Sequence, residues 1–209
     1  MRGLTKKHGY HHGDLRAALI DTAIELIGEK GVRAFSLAEA GRRLGVTVAA
    51  PYRHFADRDQ LLAAAAERGA LALADTLELI PETLPPGQRL ADGAGAYVRF
   101  AAEHRALFEA LFSAGLDKTR HPELERATDR ARTALFPAAL ALCEGEPGDA
   151  EALIVAVAGT AHGHAALLLD GTFCADVGMV DRAVAQAEAA TRALVAGRAA
   201  LSERRRPPR

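Results

Sequence analysis

The sequence contains no tryptophan, and aromatic residues make up only 5% of its 209 residues. Its two cysteines, Cys143 and Cys174, are too few for a disulfide framework or for a metal site built from thiolates alone. Alternating β-branched runs are almost absent, whereas alanine, leucine, arginine and glutamate, all good helix formers, are abundant. The composition therefore predicts an all-α protein with reduced, structural cysteines; a regulatory disulfide is the minor alternative.

Neither a membrane span nor a secretion signal is expected. We find no run of about 18 uncharged apolar residues, the length that a transmembrane helix requires. The basic first residues are followed by histidine and glycine rather than by the apolar core of a signal peptide. The expectation is a cytoplasmic protein with no membrane partner.

Charge is distributed unevenly along the chain, although the net charge is only −1. Residues 1–60 carry ten Lys or Arg and seven Asp or Glu, whereas residues 61–209 carry sixteen and twenty. The first part is thus mildly basic and the remainder mildly acidic. This asymmetry is compatible with DNA contact by one end of the molecule, and it is equally compatible with chance.

The first 35 residues read as a flexible basic arm at 1–13 followed by one amphipathic helix. Asp14 is expected to cap this helix, which runs to about residue 29. Apolar residues repeat along it at helical spacing and predict its buried stripe. The stripe consists of Leu15, Leu19, Ala23, Leu26 and Ile27.

Two short helices and a long one are predicted next. Ser36 and Glu39 form a capping box for a helix that ends before a sharp turn at Gly45. Thr47 is expected to cap a helix at 48–55. Asp57 caps a longer helix, with Gln60 as its capping-box partner, that continues to about residue 80.

A proline-rich break at 81–87 separates these elements from the rest of the chain. Five further helices are predicted, at 88–104, 105–116, 122–143, 149–169 and 176–202. The last six residues are basic and proline-rich and are expected to be disordered.

Two short capped helices joined by a tight turn, with one helix before them, are typical of a helix-turn-helix unit. The second helix of such a unit enters the major groove of DNA, so one face must be exposed and free of carboxylates. Residues 48–55 contain no Asp or Glu. Phe55 is expected to pack inward, and the free face consists of Val48, Ala49, Ala50 and Arg53.

Residues 14–68 resemble the DNA-binding domain of the TetR family of repressors. The matching stretches are FSLAEAGRRLGV (35–46), TVAAPYRHF (47–55) and DRDQLL (57–62). AYVRFAAEHRALFEALF (96–112) and HGHAALLLDG (162–171) more weakly resemble a subgroup whose C-terminal domain has a His-Gly pair, often near a tryptophan. This chain has the pair but lacks the tryptophan.

The resemblance implies a set of DNA contacts. Thr47 would meet a phosphate, Tyr52 and His54 would clamp the backbone, and Arg58 would contact phosphate from the start of the long helix. For Tyr52 and His54 a structural role stays open, as does a phosphate contact for Arg53. The residues expected to contact DNA are Ser36, Thr47, Val48, Ala49, Ala50, Tyr52, Arg53, His54 and Arg58.

The resemblance also implies a homodimer held by the last two helices, here 149–169 and 176–202. The stretch 152–169 is nearly free of charge, as expected of a helix covered on all sides. A small-molecule effector is expected in the region 88–169. Its candidate neighbours are Tyr97, Phe100, Phe108, Phe112, Phe136 and His162.

No metal, cofactor or catalytic residue is expected. His162 and His164 lie two positions apart, so on a helix their side chains point roughly 200° apart and cannot bind one ion together. We find no nucleophile motif and no glycine-rich phosphate loop.

The leading hypothesis is therefore a dimeric repressor released from operator DNA by a small molecule. It divides the chain into an arm (1–13), a helix-turn-helix domain (14–65), a ligand-binding and dimerisation domain (66–203) and a tail (204–209). One alternative is a helical enzyme or small-molecule carrier with a fortuitous N-terminal motif. Another is a constitutive DNA-binding scaffold without ligand sensing.

Overall fold

The computed structural model describes residues 12–112, 115–172 and 178–200, and these ranges contain nine α-helices and no strand, which confirms the all-α prediction. The helices are α1 (His12–Lys30), α2 (Leu37–Arg43), α3 (Arg58–Glu78), α4 (Pro86–Glu103), α5 (Arg105–Phe112), α6 (Pro122–Thr133), α7 (Phe136–Leu142), α8 (Pro147–Leu169) and α9 (Met179–Ala196). Predictions for residues 1–11, Cys174 and the C-terminal tail lie outside the described residues.

The first helix buries the predicted apolar stripe. Leu19, Leu26 and Ile27 are at most 1% exposed, and burial of each stabilises the fold by about 1.5–3 kcal/mol. The helix begins at His12, so Asp14 lies inside α1 and is not its cap. His12 and Gly13, which the sequence predicts to belong to the arm, are therefore the first two residues of α1.

Both predicted capping boxes are formed in part. The hydroxyl of Ser36 accepts a hydrogen bond from the amide of Glu39 at 3.2 Å, but the Glu39 carboxylate pairs with Lys30 instead of returning to the cap. The carboxylate of Asp57 accepts from the amide of Gln60 at 2.8 Å. Gln60 accepts in turn from the amide of Ala56, one residue before the cap. These bonds fix the beginnings of α2 and α3.

Residues 47–55, which we call the recognition segment, do not form the predicted α-helix. They form a turn followed by one turn of 3₁₀-helix at Pro51–Arg53. The amides of Ala50 and Arg53 bond to carbonyls three residues earlier, and no side chain caps this turn, so the predicted Thr47 cap is wrong. Pro51 has no amide to donate to Thr47, which removes the hydrogen bond that an α-helix would need there.

The larger half of the molecule is built around α4, which packs against α7, α8 and α9, while α3 packs against α5 and α6. The predicted helix 122–143 is two helices, α6 and α7, with a break at residues 134–135. Pro137 explains the break, because it cannot donate to the carbonyl of Thr133 and its ring would clash with that carbonyl in a continuous helix.

One helix of the described residues, α8, is long and apolar enough to cross a membrane by length and composition alone. No such helix was predicted from the sequence, because histidine and glycine interrupt the apolar run. About a third (33%) of its most apolar window is buried in the monomer, where α8 packs on α4, α7 and α9. Core helices of soluble proteins have the same composition.

Candidate functional site

Two glycines let the recognition segment lie close against α2. Gly45 has φ +67°, a left-handed conformation that provides the sharp turn predicted from the sequence. A Cβ atom on Gly41 would lie 2.6 Å from Cγ of Pro51, so only glycine permits this approach. Pro51 and Phe55 are buried and anchor the segment to the N-terminal core.

The remaining side chains of the recognition segment point largely to solvent. Val48 is 72% exposed and Tyr52 is 50% exposed, so Tyr52 is not a core aromatic. Thr47, Ala49 and Arg53 are also exposed, and Ala50 is half-buried. The result is a small apolar surface beside one guanidinium, with no carboxylate in the segment. Such a surface matches a DNA groove, where apolar groups contact thymine methyls and arginine contacts guanine.

Arg53 forms no hydrogen bond or ion pair with any residue in the described ranges. His54 is half-buried at the end of the segment, and Ser36 is half-buried with its hydroxyl engaged at the start of α2. Arg53 is therefore the positively charged residue of this surface, and all of its guanidinium N–H groups are available to donate to DNA.

Arg58, in contrast, is held by the protein. Its Nε donates to the carbonyl of Phe35 at 3.2 Å, one terminal nitrogen donates to the carbonyl of Val32, and the other donates to Asp59 at 3.3 Å. The guanidinium carbon lies 5.0 Å from the ring centroid of Phe35. Because a guanidinium has five N–H groups, two stay available for the phosphate contact predicted from the sequence.

The outer face of α2 is tied to α1 by a second arginine. Arg43 donates to both oxygens of Glu29 at 2.7 Å, and this hydrogen bonding lowers the pKa of Glu29 and raises that of Arg43. The pair links α1 to α2 at their exposed edge. The positive charge of Arg43 is therefore largely neutralised by Glu29.

Four of the six predicted effector residues meet in the C-terminal half. We call them the ring cluster: Tyr97 from α4, Phe108 and Phe112 from α5, and His162 from α8. All six pairs of rings have centroids between 4.8 and 6.2 Å apart. Phe112 is 38% exposed, so the cluster reaches the protein surface on its side.

The ring cluster contains one polar pair. The hydroxyl of Tyr97 lies 2.9 Å from Nδ1 of His162. Burial raises the pKa of Tyr97, so its hydroxyl keeps its proton at neutral pH. This hydrogen bond joins α4 to α8, and neither group has another hydrogen-bond partner among the described residues.

The other two predicted effector residues lie elsewhere. Phe100 is 2% exposed and its ring packs on His104, with centroids 5.1 Å apart. Phe136 begins α7 and makes no ring contact with the cluster. His164 bonds through Nδ1 to the carbonyl of Thr160 at 2.8 Å, away from His162. The described residues contain no group of three or more side chains suited to a metal ion.

Two clefts consist mostly of residues outside the predicted sites. One, of about 220 Å³, lies between the helix-turn-helix and the start of α6 and includes Arg16 and His121 together with the predicted DNA-contact residue His54. The other, of about 280 Å³, lies between α3, α4 and α9 and includes Arg99, Glu103 and Glu188. Both depend on packing between distant helices, and no local sequence pattern signals them.

Comparison with known families identifies both halves of the chain. Residues 19–65 match the model of bacterial regulatory proteins of the tetR family. Residues 90–194 match the tetracyclin repressor-like C-terminal domain. The chain belongs to the TetR family. None of the curated proteins matches it.

Solved structures agree with this assignment. A protein of unknown function from Rhodococcus sp. RHA1 is 31% identical, with 90% of this chain and 98% of that one covered and a TM-score of 0.74. A tetR-family transcriptional regulator from Streptomyces coelicolor is 26% identical, with 92% and 88% covered and a TM-score of 0.66. RolR in complex with resorcinol shares the fold at 22% identity, with 95% and 97% covered and a TM-score of 0.58.

The TetR-family chain is thus a ligand-responsive DNA-binding transcriptional regulator, and this reading is supported over a helical enzyme or carrier. Its helix-turn-helix and its helical C-terminal domain agree with the fold expected from the sequence.

Proposed function

We propose that this TetR-family chain is a cytoplasmic homodimeric repressor, without enzymatic activity, that leaves its operator when a small molecule binds the C-terminal half. The observation that carries the proposal is the exposed, carboxylate-free recognition segment held on a buried Pro51 and Phe55. In this proposal the helix-turn-helix domain (14–65) binds DNA, and the second domain (66–203) binds the ligand and forms the dimer. The helix α3 continues across the boundary between the two domains.

In this proposal the recognition segment supplies both kinds of DNA contact. Val48, Ala49 and Ala50 offer apolar contact to thymine methyls, and the free fork of Arg53 matches O6 and N7 of guanine. Thr47, Tyr52 and His54 contact phosphates, with Ser36 and the two unused N–H groups of Arg58 beside them. Phosphate contacts fix the register, and Arg53 supplies most of the specificity.

The dimer would form through the uncovered faces of α8 and α9. On α8 the exposed apolar residues repeat every four positions, and Val155 and Leu167 are 62% and 44% exposed. On α9 the exposed residues Ala185, Ala189 and Ala193 repeat at the same spacing. An apolar face of this extent on two adjacent helices is typical of an interface rather than of a monomer surface.

Small residues would let the two subunits approach closely. A Cβ added to Gly159 or Gly163 would meet no atom within 4 Å in the monomer, so space above α8 is open there. Operator recognition requires two recognition segments spaced by about one turn of DNA, roughly 34 Å, and a dimer provides that spacing.

The effector would act through α5. One side of α5 carries Phe108 and Phe112 of the ring cluster, and the other side contacts α1 and α3. A Cβ on Gly28 of α1 would lie 3.5 Å from Cβ of Ala106, and one on Gly69 of α3 would lie 2.9 Å from the carbonyl oxygen of Leu107. Because α5 packs closely on α3 and also contacts α1, displacement of α5 shifts both helices and changes the population of dimers that fit DNA.

Fluorescence anisotropy tests this function. The purified chain is titrated into a labelled duplex taken from upstream of its own gene and into a scrambled duplex of equal length. We expect binding at least about a thousandfold tighter to the upstream duplex, as is usual for specific sites. Equal affinity for both duplexes would contradict specific binding to that region, and the same titration with candidate small molecules tests release.

A further inference from the structure

The cleft between the helix-turn-helix and the start of α6 is lined by arginine and histidine side chains from both halves of the protein. Arg16 of α1 and His54 of the recognition segment come from the DNA-binding half. Arg120 and His121, which directly precede α6, come from the C-terminal half. A molecule bound in this cleft would therefore contact both halves.

The protein itself does not use the hydrogen-bonding capacity of these four side chains. Among the described residues they form no side-chain hydrogen bond and no ion pair. The guanidinium carbon of Arg16 lies 5.3 Å from the ring centroid of Phe55, and this contact leaves the N–H groups free to donate. All four side chains can thus donate to the oxygens of a ligand.

The carboxylates near the cleft do not neutralise its arginines. Glu123 forms an ion pair within α6. Asp117 lies near Arg120, but it accepts hydrogen bonds from the hydroxyl and the amide of Thr119, at 2.6 and 3.1 Å. Glu67 of α3 lines the cleft and forms no ion pair with a described residue. With two unpaired arginines and one unpaired carboxylate, the cleft has a positive balance of charge that favours an anion.

The rest of the lining is mostly apolar. Phe55 and Leu124 are 3% and 1% exposed, and Ala63 and Ala64 of α3 lie in the same cleft. The volume of the cleft, about 220 Å³, is several times the roughly 30 Å³ of one water molecule. The cleft therefore has room for a short carbon chain between two charged ends, and apolar side chains for that chain to contact.

We propose that this cleft binds a short aliphatic dicarboxylate, with one carboxylate at Arg16 and His54 and the other at Arg120 and His121. Arginine suits this ligand, because its planar fork donates two parallel hydrogen bonds to one carboxylate. The inference goes beyond the proposed function, since it adds a second small-molecule site at the junction of the two halves.

Isothermal titration calorimetry of the full chain at constant ionic strength tests the proposal. The probes are succinate and glutarate, the neutral analogue succinamide, and inorganic phosphate, which is an anion without a carbon chain. We expect at least one dicarboxylate to bind with a dissociation constant below about 1 mM, about tenfold more tightly than phosphate, and no binding of succinamide. Absence of dicarboxylate binding, or binding of succinamide or phosphate as tight as that of the dicarboxylate, would overturn the proposal.

Matched arginine variants locate the binding. Arg16→Gln and Arg120→Gln each remove one cation of the cleft, and each should weaken dicarboxylate binding about tenfold. Both side chains are exposed and form no hydrogen bond with a described residue, so both variants should fold. Arg33→Gln is the control, because Arg33 is exposed and unpaired in the same way but lies outside the cleft. Full affinity in either cleft variant, or an equal loss in Arg33→Gln, would contradict the site.

Glu67→Gln tests the site in the opposite direction. This change removes the unpaired carboxylate of the lining, so the affinity for the dicarboxylate should rise about threefold. Partial unfolding cannot produce such a gain. Unchanged or weaker binding by the folded variant would contradict the placement of the dicarboxylate beside α3.

The calorimetry uses the free protein, so its outcome is independent of operator binding. In the proposed function His54 contacts a DNA phosphate, and a dicarboxylate that occupies His54 should therefore weaken operator binding in the anisotropy experiment. A bound dicarboxylate that leaves specific DNA binding unchanged would contradict the DNA contact of His54, while the cleft site would stand. Dicarboxylate binding by a chain that binds no duplex specifically would contradict the proposed function and not this site.

Discussion

The hydroxyl of Tyr97 in α4 lies 2.9 Å from Nδ1 of His162 in α8, although 65 positions separate the two residues in the chain. This hydrogen bond joins the helix at the centre of the C-terminal half to the helix with the uncovered apolar face. It lies among the rings of Phe108 and Phe112, so the polar pair is surrounded by apolar surface. The same contact connects the candidate effector site to the candidate dimer interface.

Burial of Tyr97 predicts a loss of stability at high pH. In the unfolded chain a tyrosine ionises near pH 10, whereas burial raises the pKa in the folded state. The folded state therefore retains the proton longer, and the contribution of Tyr97 is complete below about pH 10 and declines above it. Denaturant unfolding at pH 8 and pH 10.5 should show a larger loss for the wild type than for Tyr97→Phe. Equal losses would show that Tyr97 ionises freely in the folded protein.

Arg58 is predicted to stabilise the N-terminal half. Arg58→Ala removes three hydrogen bonds and the contact with the ring of Phe35, and it should lower the free energy of unfolding by about 1–2 kcal/mol. Arg53→Ala is the matched control, because Arg53 is exposed and forms no hydrogen bond or ion pair with any described residue, and its effect should stay within about 0.5 kcal/mol. Chemical denaturation of both variants measures these free energies of unfolding. Equal free energies of unfolding for the two variants would contradict a structural role of Arg58.

A charge on the uncovered face of α8 is predicted to separate the dimer. Gly163→Glu adds a side chain where the monomer has open space, and glutamate favours a helix more than glycine does, so the subunit should fold. Light scattering should report the mass of one chain for this variant and of two chains for the wild type. Leu79→Glu is the control, because Leu79 is 83% exposed at the end of α3, and it should leave the dimer intact. A dimeric Gly163→Glu protein would place the interface elsewhere.

The contact between α3 and α5 is predicted to control DNA affinity. Gly69→Ala would place Cβ 2.9 Å from the carbonyl oxygen of Leu107, so α5 must move away from α3. Gly28→Ala is the matched control, since its Cβ would lie in ordinary contact, 3.5 Å from Ala106. Anisotropy titrations should show weaker operator binding for Gly69→Ala and little change for Gly28→Ala. Unchanged affinity in both variants would show that α5 does not transmit the effector signal.

Local patterns in the sequence predicted the parts of the fold that depend on neighbouring residues. The stripe on α1, the caps at Ser36 and Asp57 and the turn at Gly45 all involve residues within a few positions of one another. Two of the errors in helix bounds came from prolines. Pro51 shortened the recognition helix to one 3₁₀ turn, and Pro137 divided the predicted helix 122–143.

The candidate effector site could be predicted only as a set of residue types. The aromatic residues of the region were identified, but which of them meet depends on how α4, α5 and α8 pack. Phe100 and Phe136 have the same chemistry as Phe108 and point into other contacts. Likewise, the carbonyls that hold Arg58 belong to Val32 and Phe35, which are distant in sequence and invisible to a helix-cap pattern.

The most direct test of the account is a binding-site selection from random duplexes with the wild type and with Arg53→Ala. We predict that the wild type enriches an inverted repeat whose half-site has a guanine beside thymines, since Arg53 offers a donor fork and Val48, Ala49 and Ala50 offer apolar contact. Arg53→Ala should lose the guanine preference at one position of each half-site, at a cost of about 1–3 kcal/mol. A wild-type protein that enriches no inverted repeat, or a variant with an unchanged consensus at every position, would contradict the account.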